Sequence, residues 1–216
     1  SHVVWGFAQL AHGEVTGVTK VLLGLVLSPL IGFGVGFLLH KLSSRMLMRA
    51  RPSVNGTLRR SQWLTSAWLA FSHGANDAQK SMGIITMVLL LGGFIDSFVV
   101  PFWVILSCAT AITLGILSGG WRIVRTVGFG IYKVRPLHAL DAQLTSAGVI
   151  YFASLLGAPV STTHVVSSSI MGIGTSEHPK WVRWDKAREI LTTWVVTMPG
   201  AALVSIITYG VVSLVT

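Results

Sequence analysis

Long uncharged runs set apart by short basic connectors are the feature that most restricts what this 216-residue chain can fold into. Residues 21–39, 98–120, 142–176 and 190–216 contain no Asp, Glu, Lys or Arg, and a further apolar segment, broken by a few polar residues, covers 63–94. About 20 apolar residues suffice to cross a hydrocarbon layer roughly 30 Å thick, so each run is long enough to span a bilayer. Mean hydropathy is +0.71 and only 11% of residues are charged. The chain therefore reads as an all-α polytopic membrane protein, with residues 1–216 forming a single transmembrane domain.

The net charge of +9 does not point to nucleic acid, because of where the charges sit. Fourteen of the sixteen Lys and Arg fall within residues 41–60, 122–135 and 180–188, in connectors assigned to 41–62, 121–141 and 177–189. Short connectors enriched in Lys and Arg are the cytoplasmic ones, so Arg51, Arg125 and Lys186 are expected on one side. Trp63, Trp121, Trp181 and Trp184 flank the same connectors, where amphipathic rings anchor at the headgroups. The single cysteine, Cys108, excludes an internal disulfide and a cysteine-based metal cluster, and no metal site is expected. Residues 1–20 lack the basic start of a secretory signal and include Glu14. The chain begins with Ser rather than Met, which suggests a piece of a longer protein.

Counting crossings turns this charge pattern into topology. Residues 142–176 have basic connectors at both ends, so they cross the bilayer an even number of times or not at all. As one helix they would measure about 52 Å, and two full crossings need roughly 40 residues plus a turn. A re-entrant helical hairpin fits, with its tip at Ala158-Pro159-Val160-Ser161. Pro159 is expected to stop the first leg and Ser161 to cap the second. Thr162, Thr163 and their amides then occupy a helix N-terminus, which favours anions. Ser167, Ser168 and Ser169 are read as hydroxyls that bond preceding carbonyls or hold helices together. His164 is either a satisfied interior histidine or a proton carrier.

The stretch Leu69-Ala-Phe-Ser-His-Gly-Ala-Asn-Asp-Ala-Gln-Lys80 interrupts the segment 63–94. A helix broken at Gly74, capped by Asn76, with Asp77 in its first turn, is expected here. Intramembrane Asp is costly and marks a functional candidate, and Lys80, three residues on, can pair with it. Two interrupted helices with capped ends resemble the substrate-holding elements of discontinuous-helix transporters. Asp77 would repel sulfate yet accept a hydrogen bond from protonated phosphate.

These two motifs, Gly74-Ala-Asn-Asp-Ala-Gln-Lys-Ser-Met-Gly83 and Pro159-Val-Ser-Thr-Thr-His-Val-Val-Ser-Ser-Ser-Ile-Met-Gly172, resemble the signatures of the inorganic phosphate transporter (Pit) family. The resemblance implies an inverted-repeat symporter, usually dimeric, that moves phosphate with protons or sodium and has no other cofactor. It implies phosphate binding at the positions matching Asn76, Asp77, Ser161, Thr162 and Thr163. Asn76, Asp77, Lys80 and His164 are the candidates for the coupling ion or proton. Gln79-Lys80 is similar to bacterial members associated with proton-coupled uptake of metal-complexed phosphate. The family carries each motif twice, whereas this chain shows each once. It therefore resembles one inverted-repeat half, the C-terminal portion, lacking a partner N-terminal repeat. A multi-pass location in the plasma membrane of a bacterium follows from the resemblance.

Three rivals compete with phosphate transport. One is a sulfate permease of the same family. Another is an intramembrane hydrolase using Ser161, His164 and Asp77, although no Gly-x-Ser-x-Gly elbow is present. The third is a non-transporting scaffold, suggested by Gly32-x-x-x-Gly36, a pattern that lets membrane helices approach closely.

Overall fold

The computed structural model describes residues 17–49, 53–125, 128, 130–158 and 160–215. Pro159, Arg51 and the stretch containing Glu14 lie outside the described residues. Among the described residues the chain forms α1 (Gly17–Leu47), α2 (Val54–Leu91), α3 (Phe102–Arg125), α4 (Pro136–Leu155), α5 (Thr162–Glu177) and α6 (Trp184–Val215). A single 3-10 turn, Pro179–Trp181, precedes α6. Among the same residues three helices are long and apolar enough to cross a membrane: Thr19–Leu47, Phe102–Trp121 and Trp184–Ser213.

Polarity is arranged from the inside outward. The buried residues of α2 are Thr65, Ser72, Asn76, Ala78 and Thr86, while Trp63, Leu64, Phe71, Ile84 and Leu91 are exposed. In water this would be unstable, but in lipid the apolar side chains need no cover and the polar ones must find partners within the protein. The seam between α2 and α4 supplies them. Gln62 donates to the Pro136 carbonyl at 2.8 Å, Thr65 donates to Gln143 at 2.5 Å, and Gln143 donates to Ser66 at 2.8 Å.

The most extensive packing is between α1 and α5, and small residues make it possible. A Cβ on Gly36 would stand 2.7 Å from the Ser169 carbonyl oxygen, and one on Gly172 would drive into the Phe33 carbonyl. Gly32 faces the Ser168 hydroxyl in the same way. The Gly32-x-x-x-Gly36 pattern is thus a packing device. Ser168 and Ser169 donate to the Val165 carbonyl at 3.0 and 2.7 Å, which consumes their donors inside the helix.

The hairpin is formed by α4 and α5, about 30 and 24 Å long. Its first leg begins at Pro136 rather than at 142, since proline at the first helical turn costs no hydrogen bond. It ends by a different device from the one expected. Gly157, at φ +59°, donates to the Ser154 carbonyl, and Ala158 donates to Ala153, which closes the helix two residues before Pro159. Only glycine reaches this left-handed position without a steric cost. Ser161 caps α5 as expected, its hydroxyl accepting from the His164 amide at 3.4 Å. At the other end the two flanking connectors meet, the Arg183 amide donating to the Ile131 carbonyl at 3.0 Å.

A further expectation is overturned. α2 is a single 38-residue helix that runs unbroken through Gly74, and Asn76 caps nothing. A glycine inside a helix costs only about 1 kcal/mol, which continuous backbone bonding and packing against α4 outweigh. Asn76 is instead a buried residue on the face turned inward.

Replacing Gly36 or Gly172 by Ala is expected to lower Tm in detergent by about 5 °C, the shift that an overpacking cost of about 1–2 kcal/mol gives in a chain of this size. Gly34→Ala, mid-helix with open space around it, should not lower Tm and should raise it by up to about 3 °C when measured beside them.

Candidate functional site

The hairpin tip and the middle of α2 come together through charged side chains. Lys80 sends its ammonium to the Val160 carbonyl at 2.7 Å and to Asp77 Oδ1 at 3.1 Å. Thr162 donates to Asp77 Oδ2 at 3.3 Å, and His73 Nε2 lies 3.3 Å from the same oxygen. Asp77 is therefore surrounded by three donors from two elements and is one-third exposed. Lys20, the other basic residue outside the connectors, reaches the same tip: a Cβ placed on Gly157 would lie 3.7 Å from its Nζ. Both cations that are not in connectors thus converge on the turn between α4 and α5.

Ser161, Thr162 and Thr163 do not share one face. Thr162 is buried and turned toward Asp77 on α2, whereas Ser161 and Thr163 line a cavity of about 550 Å³ between α5 and α6. His164 lies on that second side, its ring stacked on Trp194 at 3.8 Å, with the Leu25 carbonyl as hydrogen-bond partner. Leu25 is four residues before Pro29 on α1, and a proline leaves the carbonyl of residue i−4 without its helical donor. His164 is accordingly a partnered interior side chain. Asn76 is buried beside Asp77 in sequence, and its side-chain amide nitrogen has no partner among the described residues.

A second polar cluster sits at the connector end of the hairpin. His40 Nδ1 on α1 is 2.7 Å from Asp141 Oδ2 on α4, and Ser43 donates to Asp141 Oδ1 at 3.0 Å. His138 Nε2 is 2.7 Å from Glu177 Oε2, which also accepts from the Tyr132 hydroxyl, and Arg135 lies 3.6 Å from Glu177 Oε1. The ligand atoms of His40, His138 and Glu177 are close enough together to surround a metal ion. Their hydrogen bonds fit it poorly. His138 Nδ1 accepts from the Arg135 amide at 3.1 Å, so Nε2 carries the proton that Glu177 receives and has no lone pair to offer. Burial foremost holds the His138 pKa below its usual range. Burial pushes Glu177 upward, but the Tyr132 hydroxyl and the charges of His138 and Arg135 outweigh it and leave Glu177 lowered. Tyr132 is raised, by burial first and then by Glu177.

Sequence reasoning misses Lys20 and this cluster. Lys20 is legible only as a lone cation at the start of an uncharged run. Asp141 and His138 fall within a connector unless Pro136 is read as a helix start.

The α4–α5 hairpin thus docks its tip on the polar face of α2, with Lys20, Lys80 and Asp77 gathered at the turn. The family model described as the Phosphate transporter family matches residues 1–205, and the chain belongs to that family. It is 42% identical over 212 residues to the "Probable low-affinity inorganic phosphate transporter" of Bacillus subtilis, covering 97% of this chain and 63% of the relative. The protein of the same name from Rhizobium meliloti is 42% identical over 214 residues, covering 97% and 64%. The solved structure titled "The sodium-dependent phosphate transporter" matches 99% of this chain and 63% of its own with a TM-score of 0.68 at 24% identity, which establishes a shared fold. The chain thus spans a little under two thirds of the length of these relatives. The family is one of transporters rather than hydrolases, and with its apolar helices and bacterial relatives it places the chain in the plasma membrane.

The connector-end cluster gives a pH dependence with a definite sign. A histidine whose pKa is lowered by folding takes up a proton in the unfolded chain, near its ordinary 6.5, before it does so in the folded one. Stability is therefore expected to fall as pH drops below about 6.5, and further below about 4.5 as Glu177 loses its advantage. Tm in detergent between pH 7.5 and 5.5 should decline in wild type and be flatter in His138→Gln, where the amide cannot take up a proton.

Proposed function

We propose that this chain is the C-terminal portion of an ion-coupled phosphate transporter, with phosphate held at the hairpin tip against α2. The observation that carries this is the convergence on one turn of the Asp77 carboxylate and both lysines outside the connectors, Lys20 and Lys80. The N-terminus of α5 leaves the amides of Thr162 and Thr163 without intrahelical acceptors at the tip, while the hydroxyls of Ser161 and Thr163 face the cavity on the α6 side. Asp77 accepts the proton of hydrogen phosphate, which sulfate lacks at neutral pH, so the same carboxylate that helps bind one anion rejects the other.

In this reading Lys80 changes partners as substrate arrives, giving up part of its bond to Asp77 for the oxyanion, while its bond to Val160 keeps the tip in place. Coupling follows from charge. A second anion beside Asp77 is tolerated when a proton enters with it at Asp77, or a sodium ion at Asp77 and the side-chain carbonyl oxygen of the buried Asn76. The basic connectors face the cytoplasm, a partner repeat carrying the second Asn-Asp and Ser-Thr-Thr motifs completes the site, and the assembled protein is a homodimer.

Asp77→Asn should raise the Kd for phosphate about tenfold or more, since an amide keeps the volume but cannot accept from hydrogen phosphate through both oxygens or carry charge. Thr162→Ala should weaken it less, by about threefold to tenfold, the worth of one hydrogen bond. Isothermal titration of the assembled protein, repeated with sulfate and with sodium and pH varied, measures both. Equal phosphate affinity in wild type and Asp77→Asn would remove Asp77 from the site, and sulfate binding as tight as phosphate would favour the sulfate reading.

A further inference from the structure

The groove between α5 and α6 sets a line of polar side chains among apolar ones such as Leu25, Ile190 and Trp194. It encloses about 550 Å³ and is lined from α5 by Ser161, Thr163 and Ser167, and from α6 by Thr193, Glu189 and Lys186. α6 approaches α5 where His164 stacks on Trp194 and where Ala187 and Ile190 join the apolar cluster that also holds Ile170 and Ile173. The groove therefore leads from the hairpin tip to the basic connector that precedes α6. Polar groups along such a path are costly in lipid unless they serve one another or a polar occupant.

Ser167 separates these alternatives. Its neighbours Ser168 and Ser169 bond the Val165 carbonyl, but the Ser167 hydroxyl is only 1% exposed and has no partner among the described residues. A buried hydroxyl left unsatisfied costs about 1–3 kcal/mol, which a hydrogen bond to a passing acceptor recovers. The charges select the sign of that occupant. Glu189 is held by Lys186 at 2.5 Å, so the one carboxylate among the described lining residues is already neutralised; Thr193 spends its hydroxyl on the Glu189 carbonyl at 2.8 Å, whereas the Ser161, Thr163 and Ser167 hydroxyls donate to no acceptor among the described residues.

We infer that the α5–α6 groove is the route by which a phosphate-class oxyanion passes between the hairpin tip and the connector end, with Ser167 as an intermediate donor and the Lys186–Glu189 pair at the mouth. The inference rests on the phosphate reading of the tip. When an oxyanion arrives, Lys186 exchanges Glu189 for it, and the freed carboxylate opposes its return.

Thiol labelling of the assembled transporter in membrane vesicles open to reagent on the connector side tests this, in a Cys108→Ser background carrying Ser161→Cys, Ser167→Cys or Thr193→Cys one at a time. At ten times its Kd, phosphate is expected to slow an anionic methanethiosulfonate at positions 161, 167 and 193 by about tenfold, as site occupancy dictates. Adding Lys186→Gln to Ser167→Cys should slow the anionic reagent by about threefold to tenfold, the loss of local attraction, and leave a neutral reagent unaffected. Protection at 161 without protection at 167 or 193 would overturn the route and leave the tip site standing. No protection at any position would overturn the phosphate reading itself. A thiol introduced by Ser167→Cys that reacts with neither reagent in the folded protein would likewise overturn the route.

Discussion

The bond from Lys80 to the Val160 carbonyl is the contact on which the arrangement of the site depends. The turn between α4 and α5 exposes backbone carbonyls that no helix can satisfy, and in a membrane each must find a donor within the protein. Lys80 supplies that donor at 2.7 Å while keeping Asp77 at 3.1 Å. One side chain thereby closes the hairpin onto α2 and neutralises the carboxylate beside it. Without it the tip would carry an unpaired carbonyl, and α2 an unpaired charge, in the least tolerant part of the chain. Capping of α5 by Ser161, the approach of Thr162 to Asp77 and the nearness of Lys20 all presuppose that the tip sits here.

The same accounting governs the rest of the fold. Polar and small residues turn inward, where Gln62, Thr65, Ser66 and Gln143 bond one another across the α2–α4 seam, and glycines allow α1 and α5 to pass at backbone contact. Apolar side chains of α1, α3 and α6 face outward. At the connector end, His40, Asp141, His138 and Glu177 form a second polar anchor that holds the base of the hairpin as Lys80 holds its tip. The hairpin is thus fixed at both ends by ionisable groups and along its length by close packing.

Much of this can be read in the sequence because lipid imposes strong rules. The uncharged runs mark the helices, and the clustering of Lys and Arg requires residues 142–176 to return to the side from which they came. Ser161 as a cap and Gly32-x-x-x-Gly36 as a packing face follow from local chemistry. What cannot be read are the choices that tertiary contact decides. Gly74 is as compatible with a break as with a helix, and packing on α4 makes it helix. Gly157 rather than Pro159 ends α4, because a glycine that can adopt positive φ stops a helix as effectively as a proline two residues later. The separation of Thr162 from Ser161 and Thr163 onto opposite sides of α5 emerges only once α2 and α6 are in place.

The central claim is that the α2 motif and the hairpin tip form one phosphate site rather than two separate polar features. A double-mutant cycle with Asp77→Asn and Thr162→Val, read as phosphate Kd in the assembled transporter, addresses it most directly. Groups that share a ligand and touch each other couple, so the account predicts an interaction energy of about 0.5 kcal/mol or more. Strict additivity, with each substitution weakening phosphate by the same factor whether or not the other is present, would contradict it.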